Sequence, residues 1–99
     1  MIYLDDILYI ESENKKTVLH KVDGEKEVTQ CSLKTLYEKI EEKGFIRCHK
    51  SYIINIQYFQ GFNRSKCKLQ NGEEISIGRQ YLKEFRKRIS DETFSGIII

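Results

Sequence analysis

Residues 45–55 read Phe45-Ile46-Arg47-Cys48-His49-Lys50-Ser51-Tyr52-Ile53-Ile54-Asn55, or FIRCHKSYIIN. Two apolar runs, Phe45-Ile46 and Tyr52-Ile53-Ile54, flank three basic-capable side chains, Arg47, His49 and Lys50. β-Branched and aromatic residues of this kind favour strands. The stretch therefore predicts two strands that enter a core, with Arg47 to Ser51 held out on a turn between them. Donors anchored at both ends by buried residues need little ordering when they meet an acceptor. Arg47, Lys50 and Ser51 suit phosphate oxygens, and Lys50 also suits a guanine edge. His49 serves either a ligand or a local partner inside the fold.

Working outward, the same stretch opens an acid-free region. Between Phe45 and Lys68 there are five basic residues, Arg47, Lys50, Arg64, Lys66 and Lys68, and no carboxylate. Residues 1–44 carry seven Lys/Arg against ten Asp/Glu, whereas residues 45–99 carry ten against five. The net charge of +2 hides this asymmetry. A solvated face usually mixes signs, so a one-signed stretch points to an anionic partner.

Upstream, Ile7 to Glu11 and Thr17 to Val22 read as strands, separated by the polar loop Ser12 to Lys16. Asp23-Gly24 predicts a two-residue hairpin turn, with Lys26 to Ser32 as the returning strand. Leu33, Leu36, Tyr37 and Ile40 fall on one helical stripe, with Ser32 as N-cap and Gly44 as a left-handed exit. Downstream, Tyr52 to Phe59, Lys66 to Gln70 and Glu73 to Ile77 read as strands. Asn71-Gly72 predicts a type I′ turn between the last two. Leu82, Phe85 and Ile89 then predict a short amphipathic helix within Gly78 to Ile89, and residues 90–99 fit either an edge strand or a loose end. The sum is six or seven short strands and two helices, a mainly β protein of antiparallel sheets in which 99 residues form one domain.

Several classes of function are excluded by what the chain lacks. No apolar run approaches the ~20 residues that span a bilayer, and the start does not resemble a secretory signal. A cytoplasmic protein is expected. Cys31, Cys48 and Cys67 are odd in number and widely spaced, which fits neither a disulfide framework nor a zinc site. There is no phosphate loop and no nucleophile elbow. His20 and His49 lie in unrelated segments, and Cys48 beside His49 is no catalytic pair, because neighbours on a strand face opposite ways. No enzyme, metal or cofactor is expected.

FIRCHKSYIINIQYFQGF resembles the signature of LytTR-type DNA-binding domains. The flanks agree with that family: LDDILYIES at the start, SLKTLYEKI in the helix and LQNGEEISIGRQYLKEF at the close. The resemblance runs from about Asp5 to Ile89 and leaves residues 90–99 unassigned. It implies elongated layers of small antiparallel sheets and sequence-specific binding of double-stranded DNA through loops in the major groove. It places three contacting loops: Asn14, Lys15, Lys16 and Thr17; His49, Lys50 and Ser51, with Arg47 beside them; and Arg79 with Gln80. By residue type, Arg79 suits guanine and Gln80 adenine, while Lys15, Lys16 and Lys50 suit phosphates. The resemblance also implies a bacterial response-regulator output domain in a two-component system, two copies on tandem direct repeats, and a receiver domain that this chain does not contain. Gly78 stands where the family commonly has Ser.

A second reading treats Tyr52, Tyr58, Phe59 and Phe62, interleaved with the basic residues of 45–68, as a stacking platform for single-stranded nucleic acid or RNA. A third makes the chain a protein-interaction module that uses its edge strands.

Overall fold

The computed structural model describes residues 2–97. After a 3₁₀ turn at Leu4–Asp6, the elements are β1 (Ile7–Glu13), β2 (Lys16–Lys21), β3 (Lys26–Thr29), α1 (Leu33–Ile40), β4 (Phe45–His49), β5 (Tyr52–Asn55), β6 (Phe59–Phe62), β7 (Lys66–Leu69), β8 (Glu74–Ser76) and α2 (Leu82–Ile97). One sheet has the order β3-β2-β1-β5-β4 and the other β6-β7-β8, and all pairs are antiparallel. The molecule measures 39 × 27 × 25 Å. This is the mainly β, layered and elongated architecture that the sequence predicted.

Two apolar layers hold it. On one face of the larger sheet, Ile7, Ile10, Leu19, Phe45 and Ile53 pack against Leu33 and Ile40 of α1. On the other face, Leu8, Tyr9, Ile46, Cys48 and Ile54 meet Cys67, Leu69, Ile75 and Ile77, and α2 closes this layer with Phe85 and Ile89. The central strands are thus buried on both sides, which explains runs such as Ile7-Leu8-Tyr9-Ile10 that do not alternate. A bulge between Ile7 and Tyr9 lets Leu8 and Tyr9 face the same layer.

The α1 signals act as read: the Ser32 hydroxyl accepts from the Thr35 N–H at 3.1 Å, and Gly44 leaves with φ 88°. Other expectations need correction. The predicted strand Tyr52 to Phe59 is broken by a 3₁₀ turn at Ile56–Tyr58, where the chain passes from one sheet to the other. Asn55 makes the break. Its side-chain oxygen accepts from the Gln57 N–H at 3.0 Å, and its amide donates to the carbonyls of Ile7 at 2.8 Å and Leu4 at 3.3 Å. The Tyr58 hydroxyl donates to the Asp5 carbonyl and pins the same N-terminal turn.

Neither Asp23-Gly24 nor Asn71-Gly72 is a two-residue turn. In each, only the glycine has positive φ, 92° at Gly24 and 94° at Gly72. The closing pairs are Lys21 with Glu25 and Leu69 with Glu73, so both loops hold three residues ending in a left-handed glycine. The side chains of Asp23 and Asn71 accept from the N–H two residues on and favour this form. Glycine at the last loop position supplied the conformation in a different register from the one predicted. At the other end of the chain, residues 90–97 are neither edge strand nor loose end. They continue α2, which a single 3₁₀ turn at Arg79–Tyr81 precedes. Ile98 and Ile99 lie outside the described residues.

Candidate nucleic-acid interface

The three predicted loops lie at one end of the fold and are joined in a row by backbone hydrogen bonds. The first is the β1–β2 turn. Asn14 and Lys15 have φ of 49° and 65°, and Glu13 pairs with Lys16 across them. Positive φ at both central residues is what a two-residue type I′ turn requires. Two residues before this turn, the Ser12 N–H donates to the Ser51 carbonyl at 2.8 Å and fixes the first loop beside the second.

The second loop, Lys50 and Ser51, joins β4 to β5. Arg47 folds back over it: Nε donates to the His49 carbonyl at 3.3 Å and Nη2 to the Lys50 carbonyl at 2.6 Å. Its guanidinium carbon also lies 5.8 Å from the centroid of the Tyr81 ring. Arg47 thereby braces the turn that presents Lys50. The His49 Nδ1 accepts from the Ser51 N–H at 3.0 Å. The neutral ring then carries its proton on Nε2, a donor not used by that bond. The local partner of His49 is thus the Ser51 backbone amide.

The third loop is tied to the second by the Gly78 N–H, which donates to the Cys48 carbonyl at 2.8 Å. A Cβ at Gly78 would lie 3.0 Å from Tyr81 Cδ2 and 3.5 Å from His49 Cδ2. The glycine therefore leaves room for the Tyr81 ring of its own loop, while His49 of the second loop lies at ordinary van der Waals distance. Arg79 and Gln80 follow it, both exposed. His49, Lys50, Gly78, Arg79, Gln80 and Tyr81 line one shallow cleft of about 240 Å³.

Asn14, Lys15, Lys16, Lys50, Arg79 and Gln80 are exposed, while Arg47, His49 and Ser51 are half-buried. Thr17 differs. It is 4% exposed and lies between Ser12 and Thr29 inside the sheet, so its side chain faces the interior and not the row. Cys48 is likewise not a loop residue: it belongs to β4 and is fully buried. The neighbouring Cys67 thiol, then burial, raises the Cys48 thiol above the ordinary range, and its Sγ–H points to the carbonyls of Tyr52 and Ser76. Tyr81 is the member of the site that sequence reading missed. Its position beside the amphipathic stripe gave no sign that it would lie against Arg47.

Away from the row, toward the β2–β3 turn, a polar cluster on the larger sheet is satisfied. Tyr9 stacks on His20 at 4.1 Å, His20 Nε2 meets Glu11 at 2.8 Å, and the Tyr9 hydroxyl donates to Glu73 at 2.9 Å. Burial first, then the Glu73 carboxylate, raises the Tyr9 phenol. Burial and Glu11 raise Tyr52, whose ring sits 5.2 Å from that of His49.

Of the aromatics considered as a stacking platform, three pack against the core and Phe62 stays exposed. Tyr52, Tyr58 and Phe59 lie against the core between the two sheets, and Phe62 packs edge-on to Phe85 at 5.4 Å. Among the described residues there is no group of three or more His, Cys, Asp or Glu placed to hold a metal, and no helix long and apolar enough to cross a membrane.

Comparison with known proteins agrees with this fold. The family model described as the LytTr DNA-binding domain matches residues 1–90. The transcriptional regulatory protein LytR of Staphylococcus aureus (strain N315) is 31% identical over 94 residues, which cover 90% of this chain and 38% of that protein. The sensory transduction protein LytT of Bacillus anthracis is 28% identical over 92 residues, covering 88% of this chain and 37% of that protein. The chain thus spans well under half the length of these curated relatives. A solved LytTr DNA-binding domain from Bacillus cereus superposes with a TM-score of 0.79 at 25% identity, over 87% of this chain and 83% of that one.

Proposed function

The chain belongs to the LytTR family, a family of DNA-binding domains and not of enzymes, and from that premise we propose that it reads a specific duplex sequence in the control of transcription. The observation that carries this reading is the row of loops. Two backbone bonds, Ser12 to Ser51 and Gly78 to Cys48, align Lys15, Lys50, Arg79 and Gln80 along one end of the molecule. A row of turns on buried strands presents donors at fixed spacing, which suits a groove and its flanking phosphates.

The roles follow residue type. Arg79 makes a bidentate contact to guanine in the major groove and Gln80 one to adenine. Asn14, Lys15, Lys16, Lys50, Ser51 and the His49 Nε2–H hold the domain on phosphates, with Arg47 bracing the second loop. Two copies occupy tandem direct repeats. The relatives extend well beyond the length matched here, and a receiver domain supplies the signal. Action on chromosomal DNA puts the protein in the cytoplasm.

Selection of bound duplexes from a random library, followed by a salt titration on the recovered sequence, tests the reading. Enrichment of a repeated motif with a steep salt dependence is the expected result. Equal or tighter retention of single strands, with no enriched motif, overturns it.

A further inference from the structure

The row of loops does not end at Arg79 and Gln80. One residue before Gly78, the Ile77 N–H donates to the Ser65 carbonyl at 2.8 Å. Successive N–H groups on an extended chain point opposite ways. The segment Ile77-Gly78 is therefore held between β4 on one side and the β6–β7 turn on the other. That turn, Asn63 to Ser65, stands next to the third loop as the third stands next to the second.

We propose that the β6–β7 turn is a fourth DNA-contacting loop, in which Arg64 and Lys66 hold the phosphate backbone of the duplex beyond the third loop. The inference rests on the duplex-binding reading above and extends its footprint.

Three observations support it. The turn is ordered, because the Asn63 N–H donates to the Lys66 carbonyl at 3.0 Å and Lys66 pairs with Ser76 in the ladder. Its cations are uncommitted: among the described residues, no hydrogen bond or ion pair engages the side chains of Arg64 and Lys66, and both are exposed. Lys68, by contrast, stands opposite Glu74, which offsets its charge. Finally, the turn lies within the stretch of sequence from Phe45 that holds no carboxylate; the acid that shares its groove is Glu74 of β8, which stands opposite Lys68. Exposed Lys and Arg at the margin of a reading surface act on phosphates and carry no sequence information themselves.

The test uses the whole chain and two duplexes, one recovered from the library selection and one of scrambled sequence. Each phosphate contact contributes about 0.9 to the slope of log affinity against log salt, so R64Q/K66Q should lower the slope by about 1.8 on the selected duplex. Base preference should stay as in the wild type. The R64K/K66R variant keeps both charges and should keep the slope. Ethylation interference with the wild-type protein should show phosphates at one edge of the footprint that R64Q/K66Q no longer needs. An unchanged slope and footprint in R64Q/K66Q, with wild-type binding intact, would overturn the fourth loop and leave the three-loop reading standing. Failure of the wild type to bind either duplex in a salt-dependent way would overturn both.

Discussion

The Gly78 N–H donates to the Cys48 carbonyl at 2.8 Å and thereby joins the smaller sheet to the edge of the larger one at the end where the basic loops lie. The two sheets share an apolar layer, but this bond sets the register of the third loop against the second. The spacing of Lys50 and Arg79 is thus fixed by the main chain and not by their own flexible side chains.

Arg79 and Lys50 should fail in different ways. Arg79→Ala should cost about 1–3 kcal/mol on the selected duplex and relax preference at one base position. Lys50→Ala should weaken binding across sequences and reduce the salt slope by about 0.9. Equal losses by Arg79→Ala on selected and scrambled duplexes would assign Arg79 to phosphate instead.

Lys15 sits at φ 65°, a left-handed conformation that costs a non-glycine residue roughly 1 kcal/mol. Lys15→Gly should therefore raise the urea midpoint while lowering duplex affinity. A variant that loses both stability and binding would show that the Lys15 side chain packs in the folded domain.

Asn55 is 3% exposed and uses both its amide and its oxygen in the fold. Asn55→Ala leaves the Ile7 carbonyl and the Gln57 N–H without this partner and should destabilise by roughly 2–4 kcal/mol, since each unsatisfied buried group costs about 1–3. Urea denaturation measures this directly. A loss below ~1 kcal/mol would mean that water replaces the side chain.

Thiol labelling separates the three cysteines. Cys48 and Cys67 are fully buried and Cys31 is half-buried. With the Cys48 thiol raised by the neighbouring Cys67 thiol and by burial, the folded chain should react with a disulfide reagent at Cys31 alone near pH 7, and at all three in denaturant. Because Cys48 stays unreactive in the folded state, mild peroxide should leave duplex binding unchanged.

Much of this was legible in the sequence because local chemistry and global packing agree there. The stripe Leu33, Leu36, Tyr37 and Ile40 with Ser32 ahead of it gives α1 its place, and the donors of residues 47–51 stand where two buried runs put them. The misreadings fall where one short motif has two physical outcomes. Asp-Gly and Asn-Gly serve both two- and three-residue loops, and the closing pair decides which. Asn55 inside an apolar run looked like a strand residue until its amide found the carbonyls of Leu4 and Ile7, far away in sequence. Thr17 followed the family's loop by position, yet the turn at Asn14-Lys15 is so short that Thr17 is already inside the ladder. The basic turn at Arg64 was visible as charge, but only the Ile77–Ser65 bond puts it beside Arg79.

The pairing of β1 with β5 sets when the row of loops first exists during folding. Tyr9 lies opposite Ile54 and Ile10 opposite Ile53, contacts that close most of the first half of the chain into a loop. Such long-range closure is slow and forms late compared with hairpins. Ser12, at the end of the β1–β2 hairpin, meets Ser51 only after that closure, and Gly78 ahead of Arg79 follows β8 and its pairing with β7. A chain in which β1 and β5 are not yet paired is therefore expected to lack the complete row of donors. On the proposed duplex-binding reading, binding competence is expected to arise with the native state, and a duplex held by the complete row to stabilise the folded form.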